Sequence, residues 1–119
     1  MDGLIIHKHW LNKIFSGEKT WEIRGTKTSK RGKIALIQKG SGEIFGTCEL
    51  AEVIGPLSRR DLEVNRGKHQ LPSDDLSVIL EQYTNPYAWV LSDVKRFDTP
   101  IPYNHPRGAV IWVKVGNLK

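Results

Sequence analysis

The sequence of 119 residues holds a single cysteine, Cys48, which excludes an internal disulfide framework and a paired-cysteine zinc site. A lone thiol fits a reducing compartment, so the cytoplasm is the expected location. No apolar run approaches the roughly 18 residues of a membrane span, so no membrane partner is expected. The opening segment Met1 to Lys8 lacks the charged start, apolar stretch and cleavage site of a signal peptide. No repeat, low-complexity tract or linker breaks the chain, and one domain over 1–119 is expected. With 39% apolar and 26% charged residues the balance is globular, not disordered.

Positive charge is abundant and unevenly placed. Residues 1–39 carry nine Lys and Arg against three Asp and Glu, a balance of +6, whereas residues 40–119 carry nine against ten, a balance of −1. Such asymmetry points to a polyanionic partner or, with equal weight on charge alone, to a basic solvated surface.

Leu4-Ile5-Ile6 reads as a strand, and Trp10, Leu11, Ile14 and Phe15 follow helical spacing up to Gly17. Thr20 to Arg24 alternates, with Trp21 and Ile23 on one face and Thr20, Glu22 and Arg24 on the other. A basic loop leads to a strand over 33–38. Gly40-Ser41-Gly42 then turns into a strand over 44–54, kinked at Gly46. Helical signals follow at Ser58 to Leu62 and at Pro72 to Tyr83. Strands resume at Tyr87 to Val94, near Ile101 and at Ala109 to Val115, with Pro100, Pro102 and Pro106 breaking the region between them. The expected class is α+β, mainly β: a small, mostly antiparallel barrel with flanking helices and a cleft.

Gly17-Glu18-Lys19-Thr20-Trp21-Glu22-Ile23-Arg24 is the densest chemical signal. A strand rises about 3.3 Å per residue, which sets the Cα atoms of Glu22 and Arg24 about 6–7 Å apart on one face. Arg24 offers a planar fork for a phosphate or a base edge. Glu22 can accept from a base amino group or orient Arg24. Lys19 can contact phosphate or serve as a base of perturbed pKa. On spacing alone a solvated strand face with an ordinary Glu–Arg pair is the favoured reading.

The chain resembles an ASCH domain, a small stand-alone, bacterial-type member of the PUA-like superfamily. The resemblance rests on Gly17-x-Lys19-Thr20-x-Glu22-x-Arg24, on the polar–aromatic entry His7-Lys8-His9-Trp10, on Arg31-Gly32 and Gly46, and on Tyr87-Ala88-Trp89-Val90-Leu91 with Pro100-Ile101-Pro102-Tyr103. It implies a compact barrel with helices beside a cleft that receives RNA or other single-stranded nucleic acid. By that carry-over Lys19, Glu22 and Arg24 are the first-choice binding residues; Lys8, Trp10, Lys27, Lys30 and Arg31 are second. Some relatives resemble amidohydrolases of acetylcytidine, with a threonine nucleophile two residues before the motif arginine. Here that position is Glu22, which argues against the activity, and Thr20 sits elsewhere in the motif. Other relatives resemble ribonucleases; in that reading Lys19 and Glu22 are catalytic, with His9 and Arg24 as helpers.

Three function classes therefore stand: an RNA-binding module, a hydrolase on RNA or a modified nucleoside, and a protein-interaction module. No metal or cofactor is expected. His7 and His9 lack a further ligand at useful spacing, and Gly40-Ser41-Gly42 lacks the lysine and context of a phosphate loop. Cys48 is expected in the core. His69 and His105 are expected in exposed loops. Arg59 and Arg60 are expected on a solvated helix face, and Trp10 is divided between core packing and base stacking.

Overall fold

The computed structural model describes residues 1–118. Its elements run β1 (Asp2–Ile6), α1 (Lys8–Phe15), β2 (Trp21–Arg24), β3 (Gly32–Gln38), β4 (Glu43–Ile54), α2 (Arg59–Val64), α3 (Arg66–His69), α4 (Asp75–Gln82), β5 (Tyr87–Pro102) and β6 (Trp112–Lys114). The six strands form one sheet in the order β2-β5-β4-β3-β1-β6. It curls into a half-barrel of PUA-like form. All pairings are antiparallel except β1 with β3. Those two strands are parallel because α1 and β2 intervene, a connection long enough for a crossover.

Alternation decides what each face buries. Leu4 and Ile6 point inward with Leu11 and Ile14 of α1, Ile34, Leu36, Cys48, Leu50 and Trp89. Ile5 points the other way, onto Ala35, Ile37, Ile44 and Val113. Trp21 and Ile23 face a third cluster with Leu57, Leu62, Leu71 and Leu76, supplied by α2, α4 and their flanking loops. The opposite face of β2 is left to Glu22 and Arg24. Among the described residues no helix is long and apolar enough to cross a membrane.

The helix ends follow local chemistry. Gly17 takes φ +86° just past α1, and its N–H donates to the Ile14 carbonyl at 3.1 Å. Ser58 and Asp61 form a reciprocal capping box: the Asp61 N–H donates to Ser58 Oγ at 3.1 Å, and the Ser58 N–H to Asp61 Oδ2 at 2.8 Å. Arg59 and Arg60 are exposed, Arg59 pairing with Glu63 at 3.1 Å.

Two expectations fail at the C-terminal end. Pro100 does not interrupt its strand, because β5 runs unbroken from Tyr87 to Pro102, whereas Pro102 ends it and Pro106 lies in the irregular stretch that follows. Beyond Val90 no β2 residue pairs with β5, and between Arg96 and Ile101 no β4 residue does. Pro100 therefore lies in an irregular stretch where its missing N–H costs no ladder bond. The last strand spans only Trp112–Lys114, shorter than the expected Ala109 to Val115. Turns and bends precede it.

The two ends of the sheet meet through side chains. Trp89 of β5 stacks on Trp112 of β6, with centroids 5.6 Å apart and planes at 15°. Trp89 Nε1 also donates to the Thr26 carbonyl at 2.9 Å. Arg24 of β2 donates through Nη2 to the Ile5 carbonyl of β1 at 2.9 Å. These contacts close a seam that backbone pairing leaves open.

Gly46 is required by a close approach. A Cβ there would overlap the Lys95 carbonyl oxygen and sit 2.8 Å from the Phe15 ring. Gly46→Ala should destabilise the chain by about 2 kcal/mol, the range of an overpacked core. Urea unfolding of the two proteins, compared at equal m-value, measures it.

Candidate functional site

The seam holds a cleft of about 350 Å³. Lys19, Glu22 and Arg24 line it together with Trp10, His7 and Lys39, and Tyr83 and Leu71 stand on the helical side. Strand alternation delivers Glu22 and Arg24, and the turn after α1 delivers Lys19.

Glu22 joins the two cations. Its Oε2 accepts from Arg24 Nε at 3.1 Å and from Nη2 at 2.8 Å, while Oε1 lies 3.8 Å from Lys19 Nζ. Arg24 is thus held by one carboxylate oxygen and the Ile5 carbonyl, with its guanidinium 5.6 Å from the Trp89 ring. Two groups remain available. Arg24 Nη1 makes no hydrogen bond among the described residues, and Glu22 Oε1 has only the long contact to Lys19. An acceptor and a donor are therefore left unengaged on two residues that line the cleft.

Lys19 is 2% exposed. Its Nζ donates to the His69 carbonyl at 2.6 Å and lies 4.9 Å from the Trp10 centroid. Burial lowers its pKa from 10.5 to about 8, against the opposing pull of Glu22. The cation is therefore a buried floor of the cleft and not a free phosphate contact.

His69 corrects the expectation of an exposed loop. It is fully buried at the end of α3, a short helix that the sequence reading did not contain. A carbonyl only accepts, so Nε2 carries the ring proton and donates to Leu62 O at 2.6 Å, while Nδ1 accepts from the Leu71 N–H at 2.9 Å. The imidazole replaces backbone bonds that so short a helix cannot make, and its own carbonyl is thereby aimed at Lys19. Burial pushes its pKa below the usual value.

The other candidates are dispersed. Trp10 is half-buried, packed on two of the hydrophobic clusters while also lining the cleft. His9 is exposed, edge-on to Trp10 at 4.5 Å and outside the cleft lining. Lys8 and Lys27 are exposed away from the cleft. Lys30 pairs with Asp2 at 3.1 Å and lies 5.3 Å from the Trp112 centroid. Arg31 donates to the Thr28 and Lys30 carbonyls of its own loop at 2.8 and 2.7 Å. Thr20 is exposed and does not line the cleft.

Cys48 lies in the core with its thiol pushed up to about 12 by burial, which leaves no thiolate nucleophile at neutral pH. No group of three or more His, Cys, Asp or Glu is placed to hold a metal among the described residues. His105 is exposed, but it has partners in Tyr103 and Ala109. Of the cleft residues, Lys39 and Tyr83 escaped the sequence reading. Their one signal was position: each stands at the end of an element that opens on the seam.

A curled, mainly antiparallel sheet with helices covering one end and a charged cleft at its seam defines a PUA-like domain. A model of the ASCH domain family matches residues 4–101, and the chain belongs to that family. No curated protein matches the sequence. Among solved structures, the ASCH protein of Zymomonas mobilis superposes with a TM-score of 0.72 at 16% identity, over 85% of this chain and 72% of that one. A single-substitution variant of that protein gives 0.73 at 17% identity over 95% and 87%. At such identities the likeness is one of fold.

Two outcomes follow from the buried Lys19–His69 contact. Between pH 8 and 10.5 folded Lys19 has released its proton while the unfolded chain retains it, so stability rises with pH in that window. From pH 8 to pH 10 the wild type should gain about 2 kcal/mol more than Lys19→Met, read from urea midpoints at the two pH values. His69→Ala should cost about 3 kcal/mol at pH 7, because Leu62 O and the Leu71 N–H lose their partner and a cavity opens. Thermal unfolding with an unchanged midpoint would refute that role.

Proposed function

We propose that the chain is a cytoplasmic RNA-binding module whose cleft takes one base. The observation that carries this reading is that Glu22 and Arg24, each with a polar atom free of hydrogen bonds among the described residues, line one cleft with Trp10. A carboxylate oxygen accepts from an exocyclic amino group, and the adjacent guanidinium donates to a ring nitrogen or carbonyl. Together they match a base edge that bears an amino group, as in cytosine, adenine or guanine, better than that of uracil. Trp10 adds an aromatic face beside them. A volume of about 350 Å³ lies at the small end of ligand sites, roughly 300–1,000 Å³. Support also comes from the family, which is generally linked to RNA binding. The exposed cations Lys8 and Lys27 supply phosphate contacts outside the cleft, where Lys30 and Arg31 are already engaged by Asp2 and by loop carbonyls.

A hydrolase is the second reading, favoured by one observation. Lys19, with a pKa of about 8, is near the range of a general base. No serine or threonine lines the cleft, so a hydroxyl nucleophile of the acetylcytidine type has no source there. Cleavage of RNA would instead use Lys19 and Glu22 for proton transfer, with Arg24 countering phosphate charge.

Binding to short single-stranded RNAs, measured by fluorescence anisotropy at several salt concentrations, tests the module. Arg24→Ala should weaken binding about tenfold or more, and Glu22→Gln should erase the preference of cytidine over uridine at the recognised position. Lys27→Ala should weaken all sequences alike and reduce the salt slope by about one. Product formation lost in Lys19→Met would establish the hydrolase instead.

A further inference from the structure

A second cavity, of about 560 Å³, adjoins the cleft. Ile5, Lys39 and Val110 line both spaces, so the two are neighbours across these side chains. Resting on the RNA reading above, we propose that this cavity is a second nucleotide subsite and that the natural ligand is at least a dinucleotide. One base occupies the cleft, the next occupies the second cavity, and Lys39 meets the phosphate between them.

Three features support this occupant. The first is charge. Lys39 is exposed at the junction and makes no ion pair among the described residues. A cation midway between two base-sized spaces is where a linking phosphate falls.

The second is the wall. Tyr103 and His105 stand there with ring centroids 5.8 Å apart and planes at 62°. Aromatic faces take bases with little regard to sequence. The third is preorganisation. The Tyr103 N–H donates to the Gly42 carbonyl at 3.1 Å, which ties this wall to the Gly40-Ser41-Gly42 turn on the other side of the cavity. His105 Nε2 donates to the Ala109 carbonyl at 2.9 Å and its Nδ1 accepts from the Tyr103 hydroxyl at 2.8 Å. The loop is therefore held before any ligand arrives, which lowers the entropic cost of binding. Val110, 74% exposed, adds an apolar edge that a base can cover.

The test compares the ribonucleoside 5′-monophosphates, one at a time, with an equimolar pool of ribodinucleotides, titrated calorimetrically into the full chain. The pool should bind about tenfold tighter than the best mononucleotide, the size expected of one further stacked base. Tyr103→Leu and, separately, His105→Ala should remove that advantage and leave mononucleotide affinity unchanged, since neither residue lines the cleft. His105 is exposed, so its variant keeps the core intact. Equal affinity for both ligand sets, or an advantage that survives both variants, overturns the second subsite while the cleft reading stands; a cavity made for a peptide or a second copy of the chain gives the same result. If no nucleotide binds, or Arg24→Ala changes nothing, the cleft reading fails and this proposal falls with it.

Discussion

One carboxylate organises the functional end of this molecule. Glu22 is 7% exposed and lies between two cations, one buried and one partly so. Burying three charges is expensive, and mutual pairing offsets much of the cost. Glu22 provides that pairing in both directions. It limits the loss of charge at Lys19, and it fixes Arg24 through two bonds to a single oxygen. Arg24 can then reach across the seam to the Ile5 carbonyl. Take Glu22 away and the cluster becomes two cations held only by the His69 and Ile5 carbonyls and the Trp10 and Trp89 rings.

The seam explains why a cleft exists at all. A fully closed barrel would pair every edge and leave its interior to packing. Here the edge strands β2 and β6 are short, and side chains do the closing: Trp89 on Trp112, and Arg24 on Ile5. Side-chain closure leaves gaps that backbone ladders do not, and the cleft lined by Glu22 and Arg24 is such a gap. Short edges also limit unwanted strand pairing with other chains. The same construction thus restrains aggregation and creates binding space.

The sequence made the local pattern readable and left the long-range contacts hidden. Period-two alternation in residues 20–24 placed Glu22 and Arg24 on the correct face, and helical spacing identified α1 and α4. The motif resemblance supplied the family that the comparison with residues 4–101 then established. Lys19 stood out as a site residue, but its burial was not legible, since nothing local says that a carbonyl fifty positions away will receive it. His69 looked exposed for the same reason: its two ring partners belong to a fold of α2 and α3 that has no periodicity to detect. Proline statistics misled at Pro100, because they presume a regular ladder and β5 is irregular there.

On the proposed RNA reading, charge placement separates recognition from attraction. The excess of positive charge lies in residues 1–39, yet the cations of that region do different work. Lys19 and Arg24 are committed to Glu22, and Lys30 to Asp2. Glu22 and Asp2 offset two of these three charges, so the group adds about one net positive charge to the field at a distance. The three cations act at contact, where the dielectric is low and direction matters. Lys8, Lys27, Lys33 and Lys39 are exposed and without ion pairs among the described residues. These set the long-range field and its dependence on salt. A polyanion would therefore be gathered by lysines that read nothing and sorted by a paired cluster that attracts little, and Lys39, exposed at the mouth of both cavities, is the residue where the two tasks meet.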